Sequence, residues 1–171
     1  LRLISTDSAP SATANVEYVL NLPANATEPP IAFNANDPNS FNQATSLTLF
    51  DSLGATHTGT MYFRKTAVDN QWEARLFIYG NDTGGVQTLQ YTNGGLLDTP
   101  VGGQLPFPTF NVTTGAAPMT VTVYMARSTQ FGNNFAVNAV SQDGFTTGRL
   151  IGIDIDETCI VQARFTNGNS Q

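Results

Sequence analysis

The residues best suited to chemistry lie near the end of the sequence, where the apolar run Leu150-Ile151-Gly152-Ile153 is followed by Asp154-Ile155-Asp156-Glu157-Thr158. An Asp-x-Asp-x-Thr string after a strand is the arrangement in which one carboxylate attacks phosphorus and a second handles the proton, at the C-terminal edge of a parallel sheet. Such a loop needs Mg²⁺ held by later carboxylates and a lysine. Only thirteen residues follow Thr158, none of them Asp, Glu or Lys, and Lys65 is the one lysine in the chain. As Ca²⁺ ligands the same groups are too few. A strand sets Asp154 and Asp156 on one face, roughly 6.5 to 7 Å apart, whereas a hard cation takes six or more converging oxygens. The expectation is a solvated turn, Asp154 to Thr158, between two paired strands.

Other reactive residues are sparse. His57 is the single histidine and Cys159 the single cysteine, which leaves no zinc set and no internal disulfide. No Gly-x-Ser-x-Gly nucleophile turn occurs. His57 is expected at the surface and Cys159 on an apolar strand face, where a thiol is inert packing. Asn25-Ala26-Thr27, Asn81-Asp82-Thr83 and Asn111-Val112-Thr113 fit the N-glycosylation pattern, which an Asn- and Thr-rich chain produces by chance. Trp72, Phe77, Tyr79, Tyr91 and Tyr124 can line a sugar platform, but aromatics at period two in strands are more often core or cross-strand pairs. No catalytic, cofactor-binding or metal-binding residue is assigned, and no cofactor is implied.

Composition narrows the partners. The chain has 171 residues, 40% hydrophobic and 12% charged, with a net charge of −6. Threonine, asparagine, glycine and proline number 23, 16, 15 and 9, whereas lysine and glutamate number 1 and 4. Helix surfaces are normally built from Lys and Glu, so strands and turns under a neutral polar exterior are expected. Seven scattered cations cannot grip nucleic acid or an anionic membrane surface. No apolar run approaches the roughly 20 residues of a membrane helix. Leu1-Arg2-Leu3-Ile4 lacks the shape of a signal peptide, and a start without methionine reads as a cut fragment.

Alternation supplies the elements. Ala14, Val16, Tyr18, Leu20 and Leu22 share one strand face; Met119, Val121, Val123 and Met125 share another, as do Cys159, Val161, Ala163 and Phe165. Trp72 to Tyr79 is apolar on both faces, which places it centrally and doubly covered. Leu47 to Phe50, Thr58 to Arg64, Val86 to Tyr91 and Arg149 to Asp154 complete the set. Hairpin connections are expected at Asp51-Ser52-Leu53-Gly54, Asn81-Asp82-Thr83-Gly84-Gly85, Thr92-Asn93-Gly94-Gly95 and Gln142-Asp143-Gly144. Pro23 to Asn42 reads as a long surface excursion and Arg127 to Asn134 as a second transition. The fold class is all-β, an antiparallel sandwich or barrel with at most one or two helical turns, and a boundary near Ser141.

From Ala12 onward the chain resembles the bacterial flagellar hook protein family. The carrying strings are Val19-Leu20-Asn21-Leu22-Pro23-Ala24, Ser40-Phe41-Asn42, Thr48-Leu49-Phe50-Asp51-Ser52-Leu53-Gly54 with His57, and Tyr62-Phe63-Arg64-Lys65-Thr66 with Trp72. Ser128-Thr129-Gln130-Phe131-Gly132, Gln142-Asp143-Gly144-Phe145-Thr146-Thr147-Gly148-Arg149-Leu150 and Ala163-Arg164-Phe165-Thr166-Asn167-Gly168 continue it. The chain departs from the family at Thr158-Cys159, where relatives tend to have Gly.

The resemblance implies an outer β domain, residues 12–140, inserted into a smaller middle domain supplied by 1–11 and 141–171, with the tube-forming terminal helices absent. It implies a structural subunit, not an enzyme, that polymerises in the extracellular hook as a flexible universal joint for motility. Partners would be other hook subunits, the rod and the hook–filament junction proteins, with the fragment itself soluble and monomeric. Rod proteins are a near alternative, although they generally lack so large an outer domain. The alternative of another class is a secreted β-sandwich carbohydrate-binding module.

Overall fold

The computed structural model describes residues 7–155 and 161–168. Their strands, in chain order, are β1 (Asp7–Ser8), β2 (Asn15–Pro23), β3 (Gln43–Phe50), β4 (Thr56–Lys65), β5 (Gln71–Ile78), β6 (Asn81–Tyr91), β7 (Leu97–Thr99), β8 (Gln104–Pro106), β9 (Thr122–Tyr124), β10 (Thr129–Phe131), β11 (Ala136–Gln142), β12 (Gly148–Ile155) and β13 (Val161–Phe165). Helical geometry among the described residues is confined to two 3-10 turns, Pro38–Ser40 and Val101–Gly103. The expected all-β class is present.

Three sheets result. β3 to β7 form an antiparallel meander in sequence order, with β5 at its centre. The second sheet is organised around β2, which pairs antiparallel with β11 along one edge. Its other edge pairs with β9 near Asn15 and with β10 near Leu22, and β8 adds antiparallel to β9. Both the β9 and β10 pairings are parallel, a departure from the purely antiparallel expectation. Parallel neighbours need a long crossover, which the whole β3–β8 excursion provides. The third sheet sets β12 between β1 and β13, both antiparallel.

One core joins the first two sheets. Val16, Tyr18, Leu20 and Leu22 of β2 are buried with Leu49, Met61, Phe63, Trp72, Leu76, Ile78, Leu89 and Tyr91 of the meander. Met119, Val121, Val123 and Met125 are buried as their alternation predicts, although the ladder itself is only Thr122–Tyr124. Apolar residues at period two therefore close a sandwich.

The segment between β2 and β3, expected as a surface excursion, lies as a strap on the outer face of the meander. Phe33 and Phe41 meet Tyr62 edge-on at 5.5 and 4.8 Å, and Phe33 meets Phe77 at 5.8 Å. The Arg75 guanidinium stands 4.7 Å from the Phe33 ring centre. Arg64 Nη2 donates to Glu28 Oε1 and to the Pro29 and Ile31 carbonyls at 3.2 to 3.4 Å. The doubly apolar pattern of β5 has its cause here: one face meets the core, the other the strap.

The hairpin between β5 and β6 differs from the expectation at Asn81-Asp82-Thr83-Gly84-Gly85. The turn is Tyr79-Gly80, both at positive φ (52° and 73°), the handedness that two-residue hairpins require. Residues 81–85 belong to β6, which bulges opposite Leu76. Thr83 Oγ1 donates to the Leu76 carbonyl at 3.0 Å, so the bulge leaves that buried oxygen partnered.

The chain passes to the third sheet through a neck in which residues 11–15 run beside 141–145. Ser11 and Phe145 exchange both backbone hydrogen bonds at 3.0 and 2.9 Å. Thr13 Oγ1 donates to Gln142 Oε1 at 2.8 Å and accepts the Phe50 N–H at 2.9 Å. Asp143 Oδ1 accepts the Ala14 and Asn15 N–H groups at 2.8 and 2.9 Å, and Oδ2 accepts Asn15 Nδ2 at 2.6 Å. Gln142-Asp143-Gly144 is thus a clasp between strands of different sheets rather than the expected hairpin turn.

Gly102 and Gly103 give a paired test. Both have positive φ (76° and 67°), but a Cβ at Gly102 meets nothing within 4 Å, whereas one at Gly103 overlaps the Ala126 backbone. Gly102→Ala is expected to cost about 1–3 kcal/mol from the left-handed conformation alone. Gly103→Ala should cost clearly more, read as a larger fall in urea midpoint at unchanged m-value.

Candidate functional site

The structure distributes the chemically suggestive residues instead of gathering them. β12 and β13 pair antiparallel, Ile155 opposite Val161, as a turn between paired strands requires. Asp156, Glu157, Thr158 and Cys159 lie outside the described residues, so the carboxylate, departing-turn and thiol expectations fall there. Among the described residues no group of three or more His, Cys, Asp or Glu could hold a metal ion. Of the five aromatics, Trp72 and Tyr91 are in the core and Phe77 lies under the strap. Tyr79 is exposed, while its hydroxyl donates to the Thr56 carbonyl at 2.8 Å. The five form no shared platform. Asn25, Asn81 and Asn111 of the three glycosylation patterns are exposed.

His57 corrects the surface expectation: it is 2% exposed. Its position in β4 has the parity of Met61 and Phe63, which face the core, and the Leu49–His57 pairing carries it inward. The same parity was readable in the sequence and is the signal that places it. His57 Nε2 lies 2.8 Å from Asp51 Oδ2, and its ring meets Tyr79 edge-on at 4.9 Å.

Asp51, fully buried, is the hub of this corner. Oδ1 accepts the Leu53 and Ala55 N–H groups at 2.9 and 3.0 Å, closing the β3–β4 turn as an Asx motif. Oδ2 also accepts Thr114 Oγ1 at 2.8 Å. Burial by itself would raise the Asp51 pKa; the donors from His57, Thr114, Ala55 and Leu53 outweigh it and bring the value down to about 2. Hydroxyl, carboxylate and imidazole resemble a hydrolytic triad in composition only. Here the carboxylate stands between the other two, so Thr114 is bonded to Asp51 and not to the imidazole that would have to activate it. His57 Nδ1 is buried without a partner. The cluster ties the hairpin tip to the 108–118 loop and has no attacking atom.

Surface chemistry is the remaining functional feature. Three shallow grooves of about 340, 420 and 540 Å³ are lined mainly by Asn, Thr, Gln and apolar groups. Apart from the His57–Asp51 contact, the ion pairs among the described residues are Arg64–Glu28 and Arg75–Glu73, both internal to one face of the meander. Exposed apolar side chains include Leu96, Val101, Phe131, Val137, Val140 and Ile151. Sequence reasoning missed Asn21, whose Oδ1 accepts Thr129 Oγ1 and the Phe131 N–H, both at 2.9 Å. Its Nδ2 donates to the Asn133 and Asn134 carbonyls at 3.1 and 3.3 Å. A polar residue between Leu20 and Leu22 was its only trace.

Against this background the comparisons are informative. Residues 21–145 match the family described as flagellar basal body protein FlaE D2 domain. The chain is 28% identical over 178 residues to the flagellar hook protein FlgE of Escherichia coli (strain K12), covering 98% of this chain and 42% of that protein. It is 28% identical over 185 residues to the flagellar hook protein FlgE of Salmonella typhimurium, again covering 98% and 42%. The chain thus spans about two fifths of the length of these relatives. The crystal structure of Helicobacter pylori flagellar hook protein FlgE2 superposes with a TM-score of 0.52 at 14% identity, covering 75% of this chain and 30% of that one, a likeness of fold.

Replacing Asp51 tests the buried corner. Asp51→Ala leaves four donors without their acceptor, each worth about 1–3 kcal/mol when buried; Thr114→Ala, which removes one, should be milder. Because the folded Asp51 pKa lies below its ordinary value, its stabilising contribution is complete above about pH 4. It is lost as pH falls towards 2, so the melting temperature of Asp51→Ala should change less over that window than that of the parent.

Proposed function

Because the chain belongs to the flagellar hook protein family and carries its FlaE D2 domain, we propose that it is a piece of a subunit that polymerises into the flexible joint between rod and filament. The observation that carries this reading is the family match across 21–145, laid on a two-sheet unit entered and left through one neck. The outer domain is the β2–β11 unit, expected at 12–140. It is proposed to extend to the Ser11–Phe145 bridge, because β11 continues to Gln142. The β1, β12 and β13 sheet belongs to the middle domain. Its partners are other hook subunits and the rod and junction proteins at the two ends, outside the cell, and the isolated fragment is a monomer. The subunit performs no catalysis.

A joint that turns while bent must let each subunit exchange contacts with its neighbours once per revolution. Strong desolvated ion pairs would hold one register, whereas neutral hydroxyl and amide contacts are individually worth little and interchange at small cost. The outer face of the meander fits this demand. Thr48 lies opposite Thr58, and Ser46 shares a 2.9 Å hydrogen bond with Thr60, so the ladder presents hydroxyls instead of charges. The sandwich beneath is stiff, with close-packed large side chains that give a body able to move without deforming.

The test uses the full-length protein in cells lacking their own hook subunit. The parent should restore hooks and swimming. Thr48→Lys, Thr58→Lys and Thr88→Lys together, all at exposed positions, should leave the subunit folded but alter hook length or curvature in electron micrographs. Unchanged hooks would defeat the sliding-contact mechanism. Saturable glycan binding by a full-length protein that restores no hooks would instead support the carbohydrate-binding alternative.

A further inference from the structure

Asn93-Gly94, Asp143-Gly144 and Asn167-Gly168 share a make-up that permits self-cyclisation. In that reaction the backbone nitrogen of the glycine attacks the side-chain carbonyl carbon of the residue before it. Glycine in second place leaves the attack unobstructed and the backbone free to rotate. Two of the three are locked. Gly144 N–H donates to Gln142 Oε1 at 2.6 Å, and the Asp143 carboxylate, kept charged by the Asn15 and Ala14 donors, is a poor electrophile. Gly168 N–H donates to the Phe165 carbonyl at 3.1 Å, and Asn167 Nδ2 is held by Ser8 Oγ and the Thr146 carbonyl at 3.1 and 2.9 Å.

Asn93-Gly94 is built differently. Both residues are exposed in the turn between β6 and β7, which Gly95 N–H closes on the Thr92 carbonyl at 2.9 Å. Neither Gly94 N–H nor Asn93 Nδ2 donates to any group among the described residues. The attacking nitrogen and the departing amide are therefore unrestrained. Asn93 Oδ1, in contrast, accepts Asn70 Nδ2 at 3.0 Å. Asn70 ends the β4–β5 connection, and its carbonyl accepts the Tyr91 N–H at 2.9 Å, which sets the two turns side by side. Behind it a chain of amides runs inward. Gln130 Nε2 donates to Asn70 Oδ1 at 3.0 Å, and the buried Trp72 indole N–H donates to Gln130 Oε1 at 3.2 Å. Each link polarises the next in the same direction. That direction ends at Asn93 Oδ1, the oxygen on which negative charge gathers when a nucleophile adds to Cγ.

We propose that Asn93-Gly94 is a self-modification site, converted through a cyclic succinimide to aspartyl and isoaspartyl forms, with Asn70 as the donor that stabilises the oxyanion. Gly94 N bonds to Asn93 Cγ and its proton passes to solvent, while Oδ1 carries the negative charge against Asn70 Nδ2–H. The carbonyl then re-forms, the Cγ–Nδ2 bond breaks, and Nδ2 takes a proton from water to leave as ammonia. Water opens the ring at Cγ to give aspartate, or at the Asn93 main-chain carbonyl carbon to give the isoaspartyl link. One product keeps the native turn and the other does not. The aspartyl form still offers Asn70 an oxygen. The isoaspartyl form routes the main chain through Cγ, which lengthens the turn by a carbon atom and displaces the Gly95 carbonyl from the Gln130 N–H it accepts at 2.8 Å. Either way the exterior gains a negative charge with age. The proposal stands apart from the hook-subunit reading, because the reaction needs only the two adjoining turns.

The test incubates the full-length protein in mildly alkaline buffer and follows each asparagine by fragmentation mass spectrometry, with methyl transfer by isoaspartyl methyltransferase to count the isomerised product. Asn93 should convert faster than Asn167 and faster than any other asparagine among the described residues. Gly94→Ala suits the fold, because a Cβ there meets only Thr92 Oγ1 at 3.6 Å, and should slow the conversion by about tenfold or more. Asn70→Gly removes the donor but fits the left-handed backbone at that residue, φ 56°. It should slow the conversion about fivefold, the effect of losing one hydrogen bond. Both variants should melt close to the parental temperature. An Asn93 that stays an amide while other asparagines convert would overturn the proposal, as would an unchanged rate in Gly94→Ala. A rate in Asn70→Gly equal to or above the parental one would mark the Asn70 contact as a restraint and overturn it as well. Each of these outcomes leaves the hook reading untouched.

Discussion

Everything between residues 15 and 141 depends on a clasp between two stretches of chain about 128 residues apart. The Asp143 carboxylate holds the Ala14 and Asn15 amides, and the Thr13 hydroxyl links Gln142 to the Phe50 amide. Closing a loop of that length costs on the order of 4 kcal/mol of chain entropy, plus a constant. Few hydrogen bonds at a partly exposed neck cannot offset that alone. The clasp persists because the core beyond it brings β2 and β11 side by side, and pairing from Val16 to Asn21 delivers the two ends already aligned. Core and neck are thus mutually dependent, the first setting the distance that the second locks.

The neck and the buried Asp51 corner are neighbours. Gly54, at the tip of the turn that Asp51 closes, abuts Pro10 and Thr146, and Thr13 N–H donates to the Phe50 carbonyl at 2.8 Å. Asp143 shares the electrostatic character of Asp51: burial raises its pKa, but the Asn15 and Ala14 donors outweigh this and hold it below the usual carboxylate range. Both groups stabilise the fold in their charged form. The buried His57–Asp51 contact sits where the hairpin tip meets the crossing chains, while Thr83, Ser128 and Gln130 bury polar groups at other points, Gln130 accepting the Trp72 indole N–H at 3.2 Å and Ser128 sharing a 2.9 Å hydrogen bond with the Tyr91 hydroxyl.

Much of this was legible in the sequence, for definite reasons. Val16 to Leu22 and Met119 to Met125 alternate because each has one face on the core, and period two reports that directly. Trp72 to Ile78 carried the further hint of two covered faces, which the strap explains. The failures have equally definite causes. Gly84-Gly85 suggested a turn, but the adjacent Tyr79-Gly80 had already supplied the required handedness and the glycines serve a bulge. His57 was judged by its isolation in sequence instead of by its parity with Met61 and Phe63. The parallel pairing of β2 with β9 and β10 was invisible, since alternation specifies which face is buried but not which strand lies alongside. Asn21 belongs to a surface assembled from β2 and, more than 100 residues further along the chain, β10 and β11.

The neck also decides how the molecule carries load. Residues 8–11 enter and 145–148 leave side by side, so tension between the two ends of the chain meets the Ser8–Gly148 pairing and then the Ser11–Phe145 bridge, and is shunted across them. The large sandwich sits beyond that short circuit like a bead on a closed loop of thread. It is mechanically unstrained by any pull along the backbone and is compressed or sheared solely by what presses on its exterior.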